Sequence, residues 1–135
     1  MTENVSTTEE KWKEKLTEKQ YRVLRLKETE RPFTGKYWNN KKKGIYYCAG
    51  CGTPLFDSKV KFKSGSGWPS FSAPITDSDI NEVPDNSFNM KRIEVLCSNC
   101  GGHLGHIFED GPKPTDVRYC INSISLGFKP KDKED

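Results

Sequence analysis

Five cysteines and two histidines carry most of the chemistry open to this chain of 135 residues. Four of the cysteines form two copies of one motif, Cys48-Ala49-Gly50-Cys51-Gly52 and Cys97-Ser98-Asn99-Cys100-Gly101. Two thiolates at this spacing can grip one metal ion, and the following glycine permits the tight turn that brings backbone amides close to sulfur. The 45 residues between the knuckles (positions 52–96) exceed the short spacing of a zinc ribbon. A metal held here would therefore tie two distant parts of the chain together. Four protein ligands leave no open coordination position, so the expected role is structural. Zinc fits this ligand set, an iron ion of the same four-thiolate kind fits it too, and unligated buried cysteines are the remaining reading.

The fifth cysteine, Cys120, stands alone. Lone cysteines are usually buried and inert. Here the segment Arg118-Tyr119-Cys120-Ile121-Asn122 has a strand composition, and strand alternation puts Arg118, Cys120 and Asn122 on one face. A cation beside a thiol favours thiolate, the condition for reactivity, and the Asn122 amide can position a polar atom. His103 and His106 lie three positions apart in His103-Leu104-Gly105-His106-Ile107-Phe108-Glu109-Asp110-Gly111. They read as metal ligands or as satisfied structural histidines. The four knuckle cysteines already complete one ion, and no nearby carboxylate pair completes a second. Trp68, in Gly65-Ser66-Gly67-Trp68-Pro69-Ser70-Phe71, is either displayed by a turn or anchored in the core. Both histidines and the spare cysteine fall within residues 103–120, which strengthens the joint assignment over each alone.

Short strands and tight turns must position these groups. Gly44–Cys48 and Arg92–Cys97 have strand patterning, and the run from Arg118 to Phe128 reads as one final strand with Ile124, Leu126 and Phe128 continuing its core face. Residues 72–90, with Pro74, Pro84 and many Asp, Asn and Ser, read as a long loop. The turn Asn39–Gly44 carries Lys41, Lys42 and Lys43, which read as solvated. Before Pro32 the chain is helical in pattern. Thr7 with Glu10 and Thr17 with Gln20 each match a capping box, which predicts two short amphipathic helices, with Trp12 and Leu16 at helical spacing.

Composition bounds the classes. Only 33% of residues are hydrophobic, but three Trp, five Tyr and seven Phe can build a small aromatic core, which a structural metal would reinforce. One domain over residues 1–135 is expected, ordered over about 8–128, with a charged, disordered tail at 129–135. The 22 basic and 19 acidic residues are interleaved, a solvated surface rather than a nucleic-acid footprint. A zinc-ribbon module contacting nucleic acid or a protein would leave Cys120, Trp68 and the histidines as coincidence. No stretch is apolar enough to cross a membrane, and the N-terminal residues lack signal or transit character, so a cytoplasmic protein is expected.

The segments GSGWPSF at 65–71, HLGHIFEDGP at 103–112 and RYCINS at 118–123, framed by the two knuckles, resemble the B-type methionine sulfoxide reductases over about residues 8–128. The resemblance implies a mainly β fold of coiled antiparallel sheets with N-terminal helices, one structural zinc on Cys48, Cys51, Cys97 and Cys100, and action on the R epimer of methionine sulfoxide. Cys120 is then the nucleophile, while His103 and His106 polarise and protonate the sulfoxide oxygen. Trp68 walls the methyl pocket with Phe71 and Phe108 beside it, and Asp110, Arg118 and Asn122 hold the surrounding hydrogen-bond network. The chemistry agrees: a soft nucleophile meets sulfur, an acid protonates the departing oxygen, and Cys120 is left as sulfenic acid. Many family members carry a second, resolving cysteine where this chain has Ser66, so an external thiol, thioredoxin or another, is the implied reductant. The implied substrate is oxidised methionine in peptides or proteins, and a monomer is expected. A relative that only binds methionine-rich segments is the alternative within the fold.

Overall fold

The aromatic residues meet between two sheets. In this computed structural model, which describes residues 12, 14–86, 92–113 and 115–130, Phe56 and Phe71 stack with ring centroids 4.4 Å apart. Tyr46 meets Phe71 edge-on at 5.1 Å and Phe128 at 4.7 Å. These contacts join a three-stranded sheet, ordered β2-β1-β9, to a six-stranded one, ordered β3-β4-β8-β7-β6-β5. The strands are β1 (Gly44–Cys48), β2 (Pro54–Asp57), β3 (Lys61–Phe62), β4 (Ser70–Phe71), β5 (Ile80–Asp85), β6 (Arg92–Cys97), β7 (His103–Phe108), β8 (Arg118–Ile121) and β9 (Leu126–Pro130). Every ladder is antiparallel. The mainly β fold of antiparallel sheets implied by the family resemblance is the one observed, here as two sheets.

The helix Glu18–Leu24 opens with the expected capping box: Gln20 N–H donates to Thr17 Oγ1 at 3.1 Å, and Thr17 N–H donates to Gln20 Oε1 at 3.0 Å. Ahead of it, Trp12, Glu14 and Lys15 are helical and Leu16 N–H donates to Trp12 O. The Thr7 and Glu10 pair lies outside the described residues. Trp12, Leu16 and Leu24 are all buried, so the N-terminal segment is packed against the sheets. No helix among the described residues is long and apolar enough to cross a membrane.

Three expectations need correction. The run 118–128 is two strands in different sheets, separated by a 3-10 turn at Ser123–Ser125. The cause is Glu30, whose buried carboxylate accepts from Ser123 N–H at 2.9 Å and Ile124 N–H at 3.0 Å and draws the backbone out of the ladder. Within the expected loop 72–90, residues 80–85 form β5. It is the edge strand, where Pro84 lacks no ladder partner that its missing N–H would have served. The last strand also runs through Lys129 and Pro130, assigned by the sequence to the tail; residues 131–135 lie outside the described residues.

Candidate active site and metal centre

The two knuckles converge from different sheets, Cys48 ending β1 and Cys97 ending β6. Each turn closes on a glycine with positive φ, Gly52 at 85° and Gly101 at 75°, whose N–H reaches back to the carbonyl of Cys48 or Cys97 at 2.8 and 2.7 Å. The four sulfurs all lie within 4.8 Å of one another. Cys48 and Cys100 sulfurs are 3.7 Å apart, and those of Cys51 and Cys97 are 3.6 Å apart. A tetrahedron with metal–sulfur bonds of about 2.3 Å has edges of about 3.8 Å, so the residues fit a four-thiolate ion. Trp12 and Leu24 roof the cluster against Gly50 and Gly102, and Arg25 donates to Cys100 O at 2.8 Å while lying over the Trp12 ring.

Cys120 belongs to the other end of the chemistry. It sits on β8 directly opposite His106 of β7 on one side and Ser70 of β4 on the other. Facing residues of an antiparallel pair have Cβ atoms only about 4.5–5.5 Å apart, so the thiol and the imidazole share one patch of sheet. Gly105, beside them, leaves no room for a side chain, since a Cβ there would collide with the Cys120 carbonyl. A cavity of about 140 Å³ opens over this patch, walled by Ser66, Trp68, His106, Phe108, Arg118 and Asn122 around Cys120.

Alternation alone would send His103 and His106 to opposite faces, because they are an odd number of residues apart. A bulge between Val95 and Leu96 on the β6–β7 ladder, where Gly105 and His103 pair with consecutive residues, cancels that parity. Both rings then meet edge-on with centroids 5.5 Å apart. They are not equivalent. His106 lines the cavity, and its Nε2 lies 2.7 Å from Asp85 Oδ2. His103 is buried behind it, with Nδ1 2.8 Å from Glu94 Oε2 and Nε2 unpartnered. Burial pushes the His103 pKa down, against the opposing pull of Glu94.

Arg118 lies over the Phe108 ring and forms a two-pronged pair with Asp110 at 2.9 and 3.2 Å. Those bonds hold the Asp110 carboxyl below its usual range. Asp110 itself is exposed and faces the neighbouring surface rather than the Cys120 cavity. Burial raises the Cys120 pKa, outweighing the lowering by the Arg118 charge and by the Ser66 hydroxyl, while Glu30 adds to the rise. Arg118 thus acts on this thiol in the expected direction, toward thiolate, but burial outweighs it. Phe71 is corrected: fully buried against Phe56, it is a core residue and does not line the cavity over Cys120.

The SelR domain family matches residues 16–130 of the chain. A peptide methionine sulfoxide reductase MsrB of Methanosarcina mazei is 60% identical over 124 residues, covering 92% of this chain and 89% of the relative. Those of Leptospira interrogans and Pseudomonas putida W619 are 54% and 56% identical, each covering 96% of this chain and 98% of theirs. The chain belongs to the B-type methionine sulfoxide reductases. It is therefore an oxidoreductase acting on sulfur, and methionine sulfoxide reduction is the activity of its family.

Around the Cys120 cavity stand three acids that sequence reasoning missed. Glu30 ties it together: its backbone N–H donates to Asn122 Oδ1 at 3.0 Å, its carbonyl accepts from Trp68 Nε1 at 3.0 Å, and its carboxylate holds the turn after Asn122. Asn122 in turn donates to Leu104 O at 3.1 Å. Glu94 gave a partial signal, since a carboxylate sharing a strand face with Leu96 calls for a partner. Asp85 gave none, lying in a segment read as loop.

Proposed function

We propose that this chain reduces methionine R-sulfoxide in peptides through a sulfenic acid on Cys120, with an external thiol restoring the enzyme. Cross-strand pairing of Cys120 with His106, under a wall formed by Trp68 and Phe108, is the observation that carries this reading. The thioether end of the substrate is apolar and polarisable and suits those rings. The Cys120 sulfur attacks the sulfoxide sulfur, and the S–O oxygen ends on Cys120. Thiol plus sulfoxide thus become sulfenic acid plus thioether, with the thiol proton balancing the sulfenic hydroxyl. His106 is the histidine in reach to relay that proton to the oxygen as its bond to sulfur weakens. An ionised Asp85 can only accept, so His106 Nε2 carries a hydrogen toward it and Nδ1 is left for the exchange.

His103 acts from behind this pair, with Glu94, as a support for the His106 ring. Asp110 fixes Arg118, whose charge offsets part of the penalty of forming a thiolate in the cavity. An external dithiol then reduces Cys–SOH to Cys–SH with release of water and formation of its own disulfide. A cytoplasmic monomer served by thioredoxin or a comparable thiol is consistent with this scheme. Cys48, Cys51, Cys97 and Cys100 would hold one structural zinc, which supplies a cross-link between the two sheets and takes no part in the reaction.

The test is single turnover on a peptide bearing separated R and S sulfoxides, with dimedone trapping and mass spectrometry, followed by dithiothreitol-supported turnover. Consumption of the R epimer, a dimedone adduct on Cys120, and loss of both in Cys120→Ser with metal retained are expected. Turnover persisting in Cys120→Ser would refute the assignment.

A further inference from the structure

A second, larger groove of about 520 Å³ adjoins the Cys120 cavity and shares Trp68 with it. Its apolar part is built by Phe33 and Trp38, edge-on to each other at 4.9 Å, together with Trp68. Phe33 is 54% exposed and is held at φ 65°, a conformation that a bulky side chain rarely adopts. Its backbone is clamped there, since Phe33 N–H donates to Gly67 O at 2.7 Å and any side chain at Gly67 would strike Pro32 and Phe33. The fold thus spends strain on presenting an exposed ring to solvent beside the reactive site.

The rim is cationic. Lys41, Lys61 and Lys63 line the same groove, and none of them has an ion-pair partner among the described residues. Lys61 donates to Trp38 O at 3.2 Å and is half-buried, and burial together with the charge of Lys41 lowers its pKa. Read along the chain, Lys41 belongs to a solvated turn; in the fold it joins Lys61 and Lys63 across an apolar floor. The 140 Å³ over Cys120 is about five waters' worth of space, enough for one side chain and no more. The rest of a peptide extends beyond the cavity, and one way out runs past Trp68, where this groove begins.

We propose that the groove is a docking subsite for the peptide flanking the oxidised methionine, and that it selects flanks pairing acidic residues with an aromatic or apolar one. The proposal rests on the reductase reading above and adds the substrate class to it. The unpaired lysines match acidic side chains, the Phe33 and Trp38 rings match an apolar one, and the shared Trp68 makes cavity and groove one continuous surface.

The experiment compares methionine R-sulfoxide peptides with an Asp/Glu-plus-Phe flank before or after the oxidised residue against their Lys-flanked and Gly/Ser-flanked counterparts. N-acetyl-methionine R-sulfoxide serves as the flank-free reference, and dithiothreitol as reductant. At about 0.1 M salt an acidic flank on at least one side should raise kcat/KM about 3–30-fold over the Lys-flanked peptide, mainly through KM, as two or three exposed charge pairs allow. The preference should shrink at about 1 M salt, where screening acts over about 3 Å. In the double variant Lys41→Glu, Lys63→Glu, the ratio of acidic-peptide to reference kcat/KM should fall toward the neutral-peptide value. Equal kcat/KM for all flanks, or a preference unchanged in the double variant, overturns the subsite. So does a charge-reversal effect seen only when thioredoxin replaces dithiothreitol, which would make the groove a landing face for the reductant. Failure to reduce even the N-acetyl reference would instead strike the reductase reading itself.

Discussion

Asp85→Asn removes one charge beside His106 while keeping the shape of the side chain. The carboxylate lies 2.7 Å from His106 Nε2 and is 19% exposed. A hydrogen bond to a charged partner is worth about 1.5–3 kcal/mol net, and partial solvent access argues for the lower half of that range. At 1.36 kcal/mol per factor of ten, kcat should fall about 10–40-fold. The amide can also turn its NH2 toward the ring and reverse the tautomer, moving the hydrogen to Nδ1. Both effects act on proton relay rather than on the sulfoxide's apolar contacts, so KM should change little. The assay is dithiothreitol-supported turnover at saturating sulfoxide, with thermal melting as a control because Asp85 also meets Arg92 at 3.4 Å. A kcat within twofold of the parent, in a variant of parental melting temperature, would refute the relay. If His106→Ala were equally harmless, the histidine would have no role in the chemistry at all.

Cys100→Ser should reduce zinc from about one per chain to a small fraction by elemental analysis and lower Tm by more than about 10 °C, because the ion joins the two sheets; unchanged melting would contradict that role. Alkylation of Cys120 should keep accelerating above pH 9, since burial lifts its pKa beyond the ordinary 9.0, and Arg118→Met should push the profile higher still; a plateau near neutral pH would reverse the argument. Glu30→Gln leaves one of two backbone N–H groups facing an amide donor, at about 1–3 kcal/mol, so Tm should drop by roughly 3–15 °C; parental stability would show that another group can hold the turn after Asn122.

What could be read in advance follows a physical division. Knuckle spacing encodes its own geometry, because two residues between cysteines and a glycine after them suffice for the turn, so the four-sulfur cluster was legible. The capping box at Thr17 and Gln20 is equally local. The break after Asn122 was not legible, because it depends on a carboxylate 92 residues upstream of that position, at Glu30. The meeting of His103 and His106 was expected only by family resemblance; its cause, a single bulge, leaves no mark in composition. Phe71 was misread for a related reason: Trp68 and Phe71 share one short motif, yet the strand that begins at Ser70 turns Phe71 into the core.

The thiol inventory then constrains how the proposed cycle can close. Four of the five cysteines are packed into one cluster, within 4.8 Å of one another, and Cys120 stands among hydroxyls. Ser64 bridges Ser66 and Ser70 with two 2.8 Å hydrogen bonds, Ser70 faces Cys120 across the ladder, and Ser66 lines the cavity over Cys120. Hydroxyls can stabilise a sulfenic acid by hydrogen bonding, but none can condense with it to a disulfide. On the proposed mechanism the oxidised state therefore waits for a thiol from outside, and that thiol must enter by the opening the substrate has just left. Product methionine and its peptide have to clear the cavity over Cys120 before reduction begins. A flank held too tightly in the lysine-rimmed groove would delay the second half of the cycle, which favours a subsite built from exposed, salt-screened charges over one with a buried ion pair.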